Sequence, residues 1–421
     1  MVDKGMIRKL IYPLHQSTSR KVFMKIIILL GDGMSDVTYS ELGDKSPLKA
    51  ATTPNMDFMA RHGQVGLAKT VPDGLPPGSD VANLSVFGYD PSNCYTGRSP
   101  LEAISMGIAL GPDDVAFRMN LVTLRPHGSR LYMEDFSAGH ISTEEGRELV
   151  AMLQKELGNE EFEFHPGVGY RHLLVWRGGM DGLKAVPPHD ITRKAILEFM
   201  PTGDGADKII NIMNHAQMAL HDHPVNKKRK EQDKPQANSI WLWGHGKMPH
   251  INSFREKFGL SGAVISAVDL IKGIGICAGL DVINVEGATG YIDTNYLGKA
   301  QAALAALEDH DFVYVHVEAP DEASHSGRLD HKIQAIEDFD RLVVGTVLEG
   351  IKKYGDYAIL CTPDHPTPVH LMTHTSEQVP FIIYRGGEGD GNGAAFYDEE
   401  QAKATGLAAD GHNLMEMLLM K

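Results

Sequence analysis

Four short stretches of this 421-residue sequence carry side chains suited to divalent cations and phosphoryl groups. Asp32 stands in Gly31-Asp32-Gly33, directly after the apolar run Lys25–Leu30. Ser79 stands in Pro77-Gly78-Ser79-Asp80, where glycine permits close backbone approach and the serine is expected at a helix N-terminus. The free N–H groups and dipole of such a terminus favour a phosphate. Asp321 and His325 are four residues apart after the run Phe312–Val317, so a helix there projects both onto one face. Asp364 and His365 follow the run Tyr357–Cys361, with His374 shortly beyond and His370 competing with it on spacing alone.

Three aspartates, three histidines and a serine suit a pair of ions such as Mn²⁺ or Zn²⁺, which accept mixed imidazole and carboxylate sets. Two metals about 3.5–4 Å apart can clamp the attacking and leaving oxygens of a phosphoryl transfer. A serine hydroxyl is inert at neutral pH unless its pKa is lowered, and metal coordination lowers it without a general base. Each stretch by itself has a plainer reading, as a cap, a turn or a chance D-x-x-x-H. Together, each at or just beyond a strand end in an alternating chain, they predict one dinuclear site.

The elements that must position these residues follow an α/β rhythm. Lys25–Leu30 is a continuous apolar, β-branched run of the kind found in central parallel strands, and its carboxyl end is where open α/β sheets gather ligands. Thr53–Asp57 opens a short helix, and Val65–Val71 reads as a strand. Between about 125 and 295 the texture changes. Ser142-Thr-Glu-Glu145 has the spacing of a capping box for a helix to about Leu157. Phe162–His165 and Tyr170–Trp176 flank a hairpin turn, and Asp222–Asn238, with its Lys227–Lys230 run, reads as a solvated loop. Ser261–Leu280 reads as a buried helix. After about 295 a helix from Thr294, strands at Phe312–Val317, Tyr357–Cys361 and Pro380–Tyr384, and a last helix from about Asn413 restore the rhythm. The expected division is an N-terminal extension (1–23), a discontinuous catalytic domain (24–125 and 295–421) and an inserted cap (126–294). The expected fold class is α/β, a mostly parallel sheet flanked by helices, with an α+β cap.

Composition bounds the partners. With 55 acidic and 40 basic side chains the formal charge is -15, which disfavours nucleic acid as the main partner but leaves room for a local basic pocket. Three dispersed cysteines, Cys94, Cys277 and Cys361, form neither a disulfide framework nor a CxxC site and suggest a reducing compartment, most simply cytoplasm. No stretch reads as a membrane span, and residues 1–23 read as a dispensable extension. Oligomeric state is left open.

The motif set resembles the alkaline phosphatase superfamily and, more narrowly, the archaeal-type, cofactor-independent phosphoglycerate mutases that also occur in bacteria. The resemblance runs from Met24 to the C-terminus. It is carried by Gly31–Met34, Thr53–Asp57, Pro77–Asn83, Tyr95–Ala103, Phe117–Thr123, Pro187–Asp190 and the Asp364, His365 and His374 stretch. It implies that Asp321, His325 and His374 hold one divalent ion, and that Asp32, Asp364 and His365 hold the other with Ser79 as bound nucleophile. Mn²⁺, Zn²⁺, Co²⁺ or Mg²⁺ would serve, and no 2,3-bisphosphoglycerate is needed. The implied reaction interconverts 3-phosphoglycerate and 2-phosphoglycerate, a small phosphorylated three-carbon acid, through a phosphoserine. A cap would then exclude water and capture the anion with Arg98, Arg118, Arg171 and Lys247, while His189 and Asp190 move protons. The run Ile191-Thr-Arg-Lys194 departs from the archaeal pattern more than the metal motifs do. That keeps open a related phosphotransferase or phosphatase with water or a small alcohol such as homoserine as acceptor. A non-catalytic metal-binding protein is a third reading, disfavoured because every expected ligand is present.

Overall fold

The computed structural model describes residues 24–386, 389 and 391–420, so the expected extension 1–23 lies outside the described residues. Its centre is an eight-stranded sheet. In spatial order the strands are Asp281–Ile283, Gly262–Ile265, Phe312–Val317, Lys25–Gly31, Tyr357–Thr362, Val379–Arg385, Gln64–Lys69 and Ala408–Asp410. All neighbours pair in parallel except those of Val379–Arg385, which runs against both of its neighbours. The central strand shows why the sequence there lacks alternation. Ile27 and Leu29 enter one hydrophobic layer, while Ile26, Ile28 and Leu30 enter the other, so both faces are covered and every position is apolar.

A second, antiparallel sheet joins Arg130–Asp135, Val115–His127, Arg171–Trp176 and Phe162–Val168, with Ser239–Gly246 also paired to Val115–His127. Helices Thr143–Leu157 and Ala206–His221 supply Leu149, Leu153, Ile209, Met213 and Leu220 to its own core. Sheet membership divides the chain differently from the expected 126–294. The second sheet begins at Val115 and ends at Gly246, and residues 262–283 already return to the first. Part of the expected insertion therefore belongs to the main sheet.

Three local expectations need correction. Ser261–Leu280 is a strand, Gly262–Ile265, followed by a helix, Asp269–Cys277. Four apolar residues are too few to show a period, so the strand reads as a continuation of the helix that follows it. The polar stretch Asp222–Asn238 contains a helix, Pro224–Glu231, opened by a proline in its first turn and a His223 cap. Within its basic run Arg229 is buried and pairs with Glu145 at 2.6 Å. Ser142 does cap the helix Thr143–Leu157 through Glu145 N–H at 3.2 Å, but Glu145 spends its carboxylate on Arg229.

Candidate functional site

Parallel pairing brings the expected residues to one edge. The strands Lys25–Gly31, Phe312–Val317 and Tyr357–Thr362 are adjacent and in register, Gly31 beside Val317 and Leu30 beside Thr362. Their carboxyl ends therefore deliver Asp32, the helix Ala319–His325 and Asp364-His365 to a common place. The helix Ser79–Val86 points its N-terminus at the same place, with Ser79 as its first residue.

Asp32, Asp364 and His365 form one buried cluster. His365 Nε2 lies 3.6 Å from Asp32 Oδ1 and 3.4 Å from Asp364 Oδ2. Ser79 Oγ is 3.2 Å from the same nitrogen. Asp364 accepts from Gly33 N–H at 3.1 Å and from Asn83 Nδ2 at 2.8 Å, which fixes its carboxylate plane. Asp321, His365 and His374 form a second cluster. His325 joins it, with Nε2 3.1 Å from Asp321 Oδ2 and 2.9 Å from His374 Nε2. His370 lies elsewhere, near Tyr39 OH at 3.3 Å. The helix Ala319–His325 gives Asp321 and His325 the shared face that a four-residue spacing requires.

Both clusters fit divalent cations on their own evidence. Asp32 Oδ1 is buried with no hydrogen-bond partner among the described residues, an arrangement that normally costs about 1–3 kcal/mol. Burial, with Asp364 and Asp321 nearby, pushes the Asp32 carboxyl well above the usual carboxylate range. Burial likewise lowers His365 to about 4, leaving a neutral imidazole that can ligate. Burial would raise Asp321 too, but hydrogen bonds from His325 and His374 outweigh it and hold that carboxyl low. Crowded carboxylates with one orphaned oxygen and neutral imidazole are what a cation would complete.

The cap residues are brought together unevenly. Arg98 and Arg118 share Glu102, at 3.0 and 2.6 Å, and both guanidinium groups lie over Trp243, at 5.6 and 5.3 Å from its ring centre. Arg118 Nε has no hydrogen-bond partner among the described residues, leaving one donor edge open. His189 packs edge-on to Trp243 at 5.4 Å. Burial lowers its pKa; Asp190 opposes that, while Arg118, Arg98 and His325 add to it, so His189 senses both the cap arginines and the metal-type cluster. Asp190 is exposed, 3.7 Å from His189 Nε2. Arg171 stacks on Tyr170 at 5.3 Å and lies close enough to oppose in part the burial that raises the pKa values of Glu318, to about 8, and Glu322. Lys247 instead turns to Asp113, 3.8 Å away, and no described contact takes it into the site.

Sequence reasoning missed Thr367, His316, Glu102 and Trp243. His316 is fully buried; its Nε2 lies 2.9 Å from Asp32 Oδ2 and its Nδ1 3.1 Å from Ser266 Oγ. A histidine inside a strand carries no outward sign of such a role. Glu102 stood within a stretch already singled out, and only the fold shows that it and Trp243 share Arg98 and Arg118.

With this geometry in view, comparison with known proteins gives a consistent result. A family model described as 2,3-bisphosphoglycerate-independent phosphoglycerate mutase matches residues 60–226. A Geobacter sulfurreducens protein named probable 2,3-bisphosphoglycerate-independent phosphoglycerate mutase is 64% identical, over 94% of this chain and 100% of its own. A solved Pyrococcus horikoshii protein superposes with a TM-score of 0.80 at 31% identity, over 94% of this chain and 97% of that one. A solved cofactor-independent phosphoglycerate mutase of Thermoplasma acidophilum gives 0.64 at 29% identity, over 94% and 99%.

Proposed function

This chain belongs to the 2,3-bisphosphoglycerate-independent phosphoglycerate mutases, and from that premise we propose that it interconverts 3-phosphoglycerate and 2-phosphoglycerate through a phosphoserine on Ser79. The observation that carries the reading is the position of Ser79 Oγ, at a helix N-terminus and 3.2 Å from Nε2 of His365, the residue common to both clusters.

Asp32, Asp364 and His365, with Ser79, would hold one divalent ion, and Asp321, His325 and His374 the other. Mn²⁺, Zn²⁺, Co²⁺ and Mg²⁺ all suit this donor set. Such ions would polarise the phosphoryl oxygens and lower the pKa of the Ser79 hydroxyl. Ser79 Oγ then attacks phosphorus in line; the bond to the substrate's O3 breaks and the bond to Oγ forms. The proton leaving Ser79 ends on O3, and His189, whose pKa is lowered by partial burial, is the candidate carrier. Arg98, Arg118 and Arg171 hold the glycerate carboxylate while it turns; O2 then attacks phosphorus, the Oγ–P bond breaks, and the O2 proton returns to Ser79 Oγ. Because the phosphoryl group waits on the protein, no 2,3-bisphosphoglycerate is consumed.

Among the described residues no helix is long and apolar enough to cross a membrane. The free thiols of Cys94, Cys277 and Cys361 fit a reducing compartment, and we place the reaction in the cytoplasm.

The deciding experiment supplies 3-phosphoglycerate and Mn²⁺ and couples product to enolase. Formation of 2-phosphoglycerate without added bisphosphoglycerate is expected. Inorganic phosphate as the main product would point to a phosphatase instead, and ATP-dependent phosphorylation of homoserine with no mutase turnover would overturn the assignment.

A further inference from the structure

We propose that Thr367 is a positioning residue whose single hydroxyl ties the two ligand sets together, fixing the His365 tautomer on one side and the Asp321 carboxylate on the other. The inference rests on the two-ion reading above and extends it to a residue that binds neither ion.

Thr367 is fully buried, and its Oγ1 stands between the clusters. It lies 2.6 Å from Asp321 Oδ1 and 3.2 Å from His365 Nδ1. A hydroxyl has one proton to give. At 2.6 Å from an ionised carboxylate that proton belongs in the short, charge-assisted bond to Asp321. Toward His365 the hydroxyl can then only accept, so Nδ1 must carry the ring proton and Nε2 must present its lone pair. Nε2 is the atom facing Ser79, Asp32 and Asp364. One threonine thus decides that His365 arrives as a ligand and not as a donor.

The surroundings leave the hydroxyl little freedom. Thr367 N–H donates to Ser35 O at 3.2 Å, and its carbonyl accepts from Lys332 Nζ at 2.9 Å. Lys332 is itself fully buried and paired with Asp36 at 2.8 Å, so the loops after two central strands are clamped by one ammonium. From the third side Gly33 closes in; a Cβ there would lie 2.6 Å from Thr367 Oγ1. With the backbone fixed on two sides, the hydroxyl cannot drift from either partner. Ordering the Asp321 set therefore orders the His365 set, and filling one site favours filling the other.

The test uses full-length protein stripped of metal, titrated with Mn²⁺ by calorimetry, for wild type, Thr367→Val, Thr367→Ala and Thr367→Ser. Wild type should bind two Mn²⁺ per chain. The Val and Ala variants should bind both ions about 10–100-fold more weakly, the range typical when an outer-sphere partner of a ligand is removed. Thr367→Ser keeps the hydroxyl and should keep wild-type affinity, whatever the Val variant does to folding. At equal metal loading, the electron paramagnetic resonance spectrum should show coupled Mn²⁺ pairs in wild type and Ser but isolated ions in Val. Unchanged Mn²⁺ affinities in the Val and Ala variants, or a loss in Ser equal to theirs, would overturn the role of the hydroxyl while leaving the two-ion reading intact. Fewer than two Mn²⁺ in wild type would overturn that reading and this inference with it.

Discussion

At the scale of single residues, the site separates groups that react from groups that aim them. Ser79 is the candidate nucleophile, its Oγ in contact with the clusters through His365 Nε2, so Ser79→Ala should reduce mutase turnover by roughly 10⁴–10⁶-fold. Mn²⁺ binding should survive, because six carboxylate and imidazole ligands remain; calorimetry and the enolase-coupled rate read the two effects separately. Turnover within tenfold of wild type would remove Ser79 from the mechanism. The aiming groups explain what residue types could and could not disclose. Asp32, Asp364 and His365 were visible because several such stretches, each at or just beyond a strand end, occur together in one alternating chain. Thr367 and His316 were not, since a buried threonine or strand histidine is ordinary in sequence and acquires its role only when a partner hundreds of positions away arrives. Ser266 Oγ accepts from Val268 N–H at 2.9 Å and so can donate to His316 Nδ1. His316 Nε2–H then binds Asp32 Oδ2 and leaves Oδ1 as the free oxygen. Nothing short of the fold reveals that chain.

At the scale of elements, turns and short helices set the precision of the site. Gly33 follows the central strand with φ +61°, a conformation that a side chain disfavours, and a Cβ there would meet Asp321 Oδ1 at 2.7 Å and its Cα at 2.9 Å. Gly33→Ala should therefore weaken Mn²⁺ binding by tenfold or more while leaving the remote cap intact; calorimetry with near-ultraviolet circular dichroism checks both. Wild-type affinity in that variant would mean that the turn adapts. A second element carries a pH signature. His172, on the strand Arg171–Trp176, accepts from Gly167 N–H at 3.0 Å and packs beneath the helix Thr143–Leu157 at Gly146. Burial lowers its pKa from 6.5 to about 4. Above pH 6.5 both folded and unfolded chains leave it neutral. Between 6.5 and 4 only the unfolded chain takes the proton, so stability falls as pH drops, by on the order of 3 kcal/mol when complete. Melting measured from pH 7 to 4.5 should show this loss, and His172→Gln should flatten it; an identical slope in the variant would assign the acid sensitivity elsewhere. Strong periodicity or clear punctuation made the strands around the site legible, whereas Val115–His127, Ser239–Gly246 and the helix Ala206–His221 went unread. Two stretches were misread, Ser261–Leu280 and Asp222–Asn238, because a short strand and a short polar helix each leave too few residues to show a period.

At the scale of the whole molecule, two sheets have separate cores, and the outgoing and returning segments between them meet at one place. Thr96 Oγ1 donates to Lys247 O and Ser99 Oγ to Gly244 O, both at 2.6 Å, so the outgoing and returning segments are bonded side by side. Glycines make this contact possible: a Cβ on Gly246 would lie 1.9 Å from Thr96 O, and one on Gly97 2.1 Å from His245 O. Cap and sheet therefore share one joint, next to the Arg98, Glu102, Arg118 and Trp243 group. A net charge of -15 gives no general attraction for a phosphorylated acid, so capture falls to this local basic group and to the metal clusters. On the proposed mechanism the same cap would have to keep water from the phosphoserine, because clusters that favour transfer to glycerate also favour transfer to water. Gly246→Ala should force the two crossings apart, shift how the cap seats, and admit water without touching a ligand or Ser79. The expected result is a fall in 2-phosphoglycerate formation together with a rise in inorganic phosphate released per turnover, with Mn²⁺ affinity unchanged. Parallel enolase-coupled and phosphate-release assays on 3-phosphoglycerate measure that ratio. A variant that loses rate with the ratio unaltered would show that the joint governs substrate binding alone and that water is excluded by some other part of the cap.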